Sequence, residues 1–171
     1  AIAIGGHHFG ETAQFGAYLV ALMHLIGAMA SVSMGRLADL WGRREVLILV
    51  AAIGAGLSMV MGWLIMLPIA LLVVIGLAYY FFAIGDSPVL STALTEVVEP
   101  GRFGSILAVR SLLGFGAGGI APIMFGAVLD LTNPPGTAPK TWGWAFVALG
   151  IGGLIATMCA IYYRQPGRLR A

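Results

Sequence analysis

The chain has 171 residues, of which 60% are hydrophobic and 9% charged, with a formal net charge of +2. A water-soluble domain carries roughly 25% charged residues, so the solvent for this much apolar surface is lipid, and the small net charge excludes an electrostatic nucleic-acid binder. Cys159 is the only cysteine, which excludes an internal disulfide and marks a small packing residue in an apolar run.

A bilayer core of about 30 Å is crossed by about 20 apolar residues in a helix. Residues 1–12, with His7, His8 and Glu11, read as an extracytoplasmic segment, and two adjacent histidines are too sparse for a metal site. The first span is predicted over 13–34, which carries no formal charge. The uncharged run Val46 to Ile84 is long enough for two spans, which Pro68 divides into 46–66 and 68–94. A fourth span follows over 104–129, and Trp142 opens a fifth over 142–163. Residues 130–141 form the longest connection, rich in Pro, Gly and Thr as a surface loop should be, and 164–171 make a short tail. Nothing alternates with the period of a barrel strand. The expected fold class is all-α, a polytopic bundle of five transmembrane spans.

Five spans put the chain ends on opposite sides of the membrane. One side receives Arg36, Arg43 and Arg44 in the first turn, Arg102 in the third, and Arg164, Arg168 and Arg170 in the tail, while the other receives only Lys140. The positive-inside rule makes the arginine-rich side, with the tail, cytoplasmic. Trp63, Trp142, Trp144, Tyr162 and Tyr163 fall near span ends, where aromatic belts sit.

The charged island between the first two spans reads Gly35-x-x-x-Asp39-x-x-Gly42-Arg43-Arg44. The glycines allow a sharp turn and close neighbours. Asp39 lies four residues before Arg43, the spacing of a helical ion pair, and its charge also suits the positive end of a nearby helix. Arg43 and Arg44 suit anionic headgroups. This pattern resembles the signature loop of the major facilitator superfamily. The stretch Pro122-x-x-x-Gly126-x-x-x-Asp130 is similar to that family's eleventh helix, and Trp142-Gly143-Trp144-Ala145-Phe146 to the entry of its twelfth. Arg110-x-x-x-Gly114-x-Gly116-Ala117 also resembles a motif the family places on its fourth helix, but the position along the chain does not fit. The resemblance covers about 13–170 and implies helices eight to twelve of a twelve-helix transporter. The seventh helix and the N-terminal half of the same transporter would then be missing partners of this fragment.

Ionisable groups inside lipid are costly and mark functional sites. Asp86 on the third span and Arg110 on the fourth both lie about 9 Å to the cytoplasmic side of the midplane, at 1.5 Å per residue. Equal depth and opposite charge suggest a pair, either a clamp or a gate. His24, Tyr79 and Tyr80 share a more central depth and, with Phe115, are candidate substrate contacts. On the fourth span Gly114, Gly118, Pro122 and Gly126 recur every four residues, a slow spiral suited to close helix packing. Pro122 and Pro88 each remove a helical hydrogen bond and invite a bend.

The expected activity is secondary transport of a small solute by alternating access, driven by a substrate, proton or other ion gradient, in a bacterial inner membrane and without a cofactor. Two other readings stay open. An intramembrane enzyme would use Asp86 and His24 as acid and base, which requires them to converge within hydrogen-bond distance in a wet cavity; the Gly85-Asp86-Ser87 segment lacks the glycine a serine protease would place where Pro88 stands. A half-size transporter would dimerise, and the odd span count stands against it.

Overall fold

The computed structural model describes the backbone of residues 2–163 and the side chains of residues 14–99 and 101–163. The helices are α1 (Ile2–Trp41), α2 (Arg43–Met61), α3 (Ile69–Val97), α4 (Phe103–Thr132) and α5 (Gly143–Tyr162), with one 3-10 turn at Pro100–Arg102 before α4. All five are long and apolar enough to cross a membrane. Helices are the form in which a chain in lipid satisfies its own backbone groups. Among the described residues there is no strand.

The bounds differ from the sequence reading most at the first two spans. α1 has 40 residues, about 60 Å of rise. It begins inside the segment 1–12 and does not stop at 34, but runs through Gly35, Arg36 and Asp39 to Trp41. No proline or left-handed residue interrupts it before Gly42, which has φ 105° and ψ 146°. The ten-residue island is therefore mostly the last turns of a helix, and the turn proper is one glycine. α2 starts at once, at Arg43, and ends at Met61 rather than at 66, unwinding through i to i+3 turns from Val60 and Met61 to Trp63 and Leu64. Pro68 caps α3 as a residue without an N–H can.

α2 is the central helix. α1, α3 and α5 all pack on it, α1 also packs on α3, and α4 packs on α5. The core lies at the arginine-rich end, where Met34 and Ala38 of α1, Val46, Leu47 and Val50 of α2, Val89 of α3 and Ala160 of α5 are buried together. At the other end α2 and α5 interlock. Ser58, 2% exposed, donates its hydroxyl to the Phe146 carbonyl at 3.0 Å. Gly150 lies against Met59 and the Ala55 carbonyl, and Gly153 against Ala55. Trp63 and Trp144 meet edge to face at 5.7 Å. The connection after α4 is closed by Asn133, whose amide nitrogen donates to the Thr141 carbonyl at 2.8 Å and whose amide oxygen accepts from the Thr141 N–H.

The small residues on α4 do not provide the tight contacts expected of them. A Cβ added at Gly114, Gly118 or Gly126 would meet no heavy atom within 4 Å, and α4 has no buried residue. Close packing sits instead on α5, where Gly150 and Gly153 let the backbone approach α2. The physical reason is neighbourhood: among the long helices α4 packs mainly on α5 and reaches α3 through Arg110, so most of its circumference is bare.

Candidate functional site: an arginine clamp and an intramembrane groove

Gly42 directs both arginines that follow it. A φ of 105° with ψ 146° is a region that essentially only glycine occupies. The chain reverses there while Gly42 N–H still donates to Ala38 O at 3.0 Å and Gly42 O accepts from Val46 N–H at 3.3 Å. Replacing Gly42 by alanine is expected to cost about 1–3 kcal/mol, because the new side chain is strained whatever space surrounds it. An unfolding midpoint unchanged from wild type would contradict that geometry.

Arg43 does not pair with Asp39 and does not face headgroups. It is buried, 9% exposed, and its guanidinium reaches the Glu96 carboxylate near the end of α3. The break at Gly42 takes the two residues off a common helix, so the spacing of four no longer brings them together. Arg44 donates from Nε and Nη2 to the Ile161 carbonyl at 3.2 and 2.7 Å. That carbonyl is one of the acceptors left open at the end of α5, so Arg44 caps a neighbouring helix. Two consecutive arginines at the start of α2 thus clamp α3 and α5 at one end of the bundle. Asp39 is exposed on the last turn of α1 and makes no ion pair among the described residues. Gly35 is helical, with open space around its Cβ position.

Deeper in the bundle, α3 and α5 stand apart over α2 and leave a groove of about 390 Å³. Asp86 is its only formally charged lining residue. A second cavity of about 200 Å³ continues inward past Ser58, Tyr79 and Phe82, and shares Ala51, Asp86 and Ala156 with the first. Asp86 therefore stands where two cavities join.

Arg110 crosses from α4 towards α3, as equal depth suggested, but it does not form an ion pair with Asp86. Its guanidinium donates to the Ser87 carbonyl at 3.0 Å and lies 3.4 Å from the Ser87 hydroxyl. Its positive charge still acts on Asp86. The carboxylate turns into the groove lined by α2, α3 and α5, while the neighbouring residue takes the arginine. Pro88, next in sequence, has no N–H to hold the preceding turn, and Ser91 and Thr92 donate their hydroxyls to the Ser87 and Pro88 carbonyls at 2.8 Å each. Such back-bonding favours bending of a helix, so Pro88, Ser91 and Thr92 together make a candidate hinge just after Asp86.

The candidate substrate contacts do not converge. His24 is exposed on α1, and its Nδ1 donates to Val20 O of the same helix at 2.8 Å. Tyr80 packs over Gly27 of α1, whereas Tyr79, one residue away and turned by about 100°, lines the inner cavity with Asp86. Phe115 is 82% exposed on the bare side of α4. No hydrogen bond joins His24 to Asp86 among the described residues, and no group of metal-ligating side chains occurs there; His7 and His8 lie outside the described side chains. Sequence reasoning missed Glu96, which partners an arginine 53 positions away, and the role of Ser87 as the Arg110 acceptor, mainly through its backbone.

The family model described as Major Facilitator Superfamily matches residues 1–170. No curated protein and no solved structure matches the chain. With five membrane-length helices, the arginine clamp behind Gly42 and a match over nearly the whole chain, this protein belongs to the major facilitator superfamily, a family of membrane transporters.

Proposed function

We propose that the chain supplies helices eight to twelve of a twelve-helix secondary transporter that moves a small solute by alternating access, driven by a proton, other ion or substrate gradient. The observation that carries this reading is the clamp: Arg43 and Arg44 tie α3 and α5 to the start of α2 at one end of the bundle, while α3 is weakened at Pro88 further in. A helix anchored at its end and hinged in its middle can alternate between two shapes around a central site. The uncovered, glycine-rich face of α4 supports the presence of further helices from an N-terminal half. The arginine bias supports an inner-membrane protein with its N-terminus outside and its C-terminus in the cytoplasm.

Asp39 then has a role outside this bundle. It is exposed and makes no ion pair among the described residues, so Asp39→Asn is expected to change stability by no more than about 0.5 kcal/mol. In the full-length protein the same change is expected to lower transport several-fold, because the carboxylate is free to contact the other half in one of the two states. The test is gradient-driven uptake of a panel of labelled solutes into proteoliposomes, wild type against Asp39→Asn at equal incorporation. Absence of gradient-driven uptake of any solute would overturn the transport reading, and unimpaired uptake by Asp39→Asn would overturn the role of the turn.

A further inference from the structure

We propose that the groove between α3 and α5 binds an elongated amphiphilic organic cation, with its ammonium group on Asp86 and its apolar body along Leu90, Leu94 and Ala156 towards Tyr163. Three observations carry this. The groove's volume of about 390 Å³ falls within the range of about 300–1,000 Å³ typical of small-molecule sites. Apart from Tyr163 at one end its walls are largely apolar, so one negative charge dominates what it can recognise. That carboxylate is met by the backbone N–H groups of Asp86 and Ser87 and by the Arg110 charge from outside hydrogen-bond reach, but by no side-chain hydrogen bond or ion pair among the described residues: the ion pair there joins Arg43 to Glu96, and Arg110 Nη2 donates to Ser87. A cation in the groove supplies the missing partner.

The second polar feature lies at the other end. Tyr163 lines the same groove, and its hydroxyl oxygen is buried without a hydrogen-bond partner among the described residues. A buried hydroxyl left unpaired costs free energy that a polar ligand atom would recover. Val97, level with that end of the groove, is about 16 Å of helix rise from Asp86. The ligand is therefore long rather than round, cationic at one end and able to hydrogen-bond at the other. An acyl chain would fit the walls but would leave both polar groups unanswered, and an organic anion would meet the Asp86 charge in a poorly screening medium.

Cys159 reports on occupancy, because it lines this groove, is exposed and is the only cysteine in the chain. In the full-length protein in nanodiscs, N-ethylmaleimide alkylation of the Cys159 peptide would be followed by mass spectrometry with submicellar decyltrimethylammonium, decanoate or decanol present. The expected result is slowed alkylation with the cation alone, and a concentration for half-protection raised at least about tenfold in Asp86→Asn, the loss expected when one partner of a desolvated charge contact is removed. Asp86→Glu, which keeps the charge, should keep the protection. Equal protection by decanol, equal protection of Asp86→Asn, or no protection by the cation in wild type would overturn the proposal. The readout is binding, not uptake. Charge-dependent protection in a protein that transports nothing would leave this inference standing and remove the transporter reading, and uptake without such protection would do the reverse.

Discussion

Glu96→Gln is expected to destabilise the protein by about 2–4 kcal/mol, and Arg43→Gln by about 1 kcal/mol. The asymmetry follows from burial. The Arg43 side chain is 11% exposed and that of Glu96 45%. An arginine cannot shed its proton to escape a dry site, so removing Glu96 strands a buried charge. Removing Arg43 leaves a carboxylate that water already reaches, which is why the full figure of about 3–5 kcal/mol for breaking a buried pair is discounted here. The double substitution should be milder than Glu96→Gln alone, since no charge is then left without a partner. Unfolding by sodium dodecyl sulfate titration in bicelles reads all three variants. If Arg43→Gln is the more damaging change, the clamp is not an ion pair of this kind.

The clamp also shows which parts of this molecule can be read from a linear sequence. Charge gaps and Pro68 are local signals, so the number of membrane helices was legible; of the two glycines read as turn-makers, Gly42 breaks α1 from α2 while Gly35 stays helical. The special backbone of Gly42 sits inside the ten-residue pattern that carries the family resemblance. The length of the turn was not legible, because polar residues such as Arg36 and Asp39 end a membrane span without ending a helix. Partners were not legible either. Spacing suggested that Arg43 would meet Asp39, whereas folding brings it to Glu96 on another helix. Equal depth suggested an Asp86–Arg110 pair, whereas Arg110 bonds the neighbouring Ser87, because depth carries no angle about the helix axis. One residue of rotation, about 100°, separates the Ser87 position from Asp86, and it decides that the arginine meets a carbonyl while the carboxylate faces a groove.

The same limit governs the glycines, and their contrast makes a sharper test of the architecture. Gly62→Ala is expected to cost at least about 3 kcal/mol, the upper range for overpacking a tight site. A Cβ there would lie 2.6 Å from the Trp142 carbonyl oxygen, 2.7 Å from its carbon and 2.8 Å from the Gly143 Cα. These are backbone atoms, so no rotamer change relieves the clash, and the start of α5 must move away from the end of α2. That would also disturb the edge-to-face contact of Trp63 with Trp144. Gly114→Ala and Gly118→Ala should behave oppositely. Each enters open space in this bundle, and alanine in a helix is favoured over glycine by roughly 0.5–1 kcal/mol. In the isolated bundle these two variants should therefore be neutral or slightly stabilised. If the chain is part of a twelve-helix transporter, as proposed, helices of the other half that approach the bare side of α4 would turn the same methyl groups into obstacles in the full-length protein. Stability in the five-helix chain combined with lost transport in the full-length protein would place an interface on α4. A loss of stability in the five-helix chain itself would mean that α4 packs far more closely on its neighbours than this structure has it.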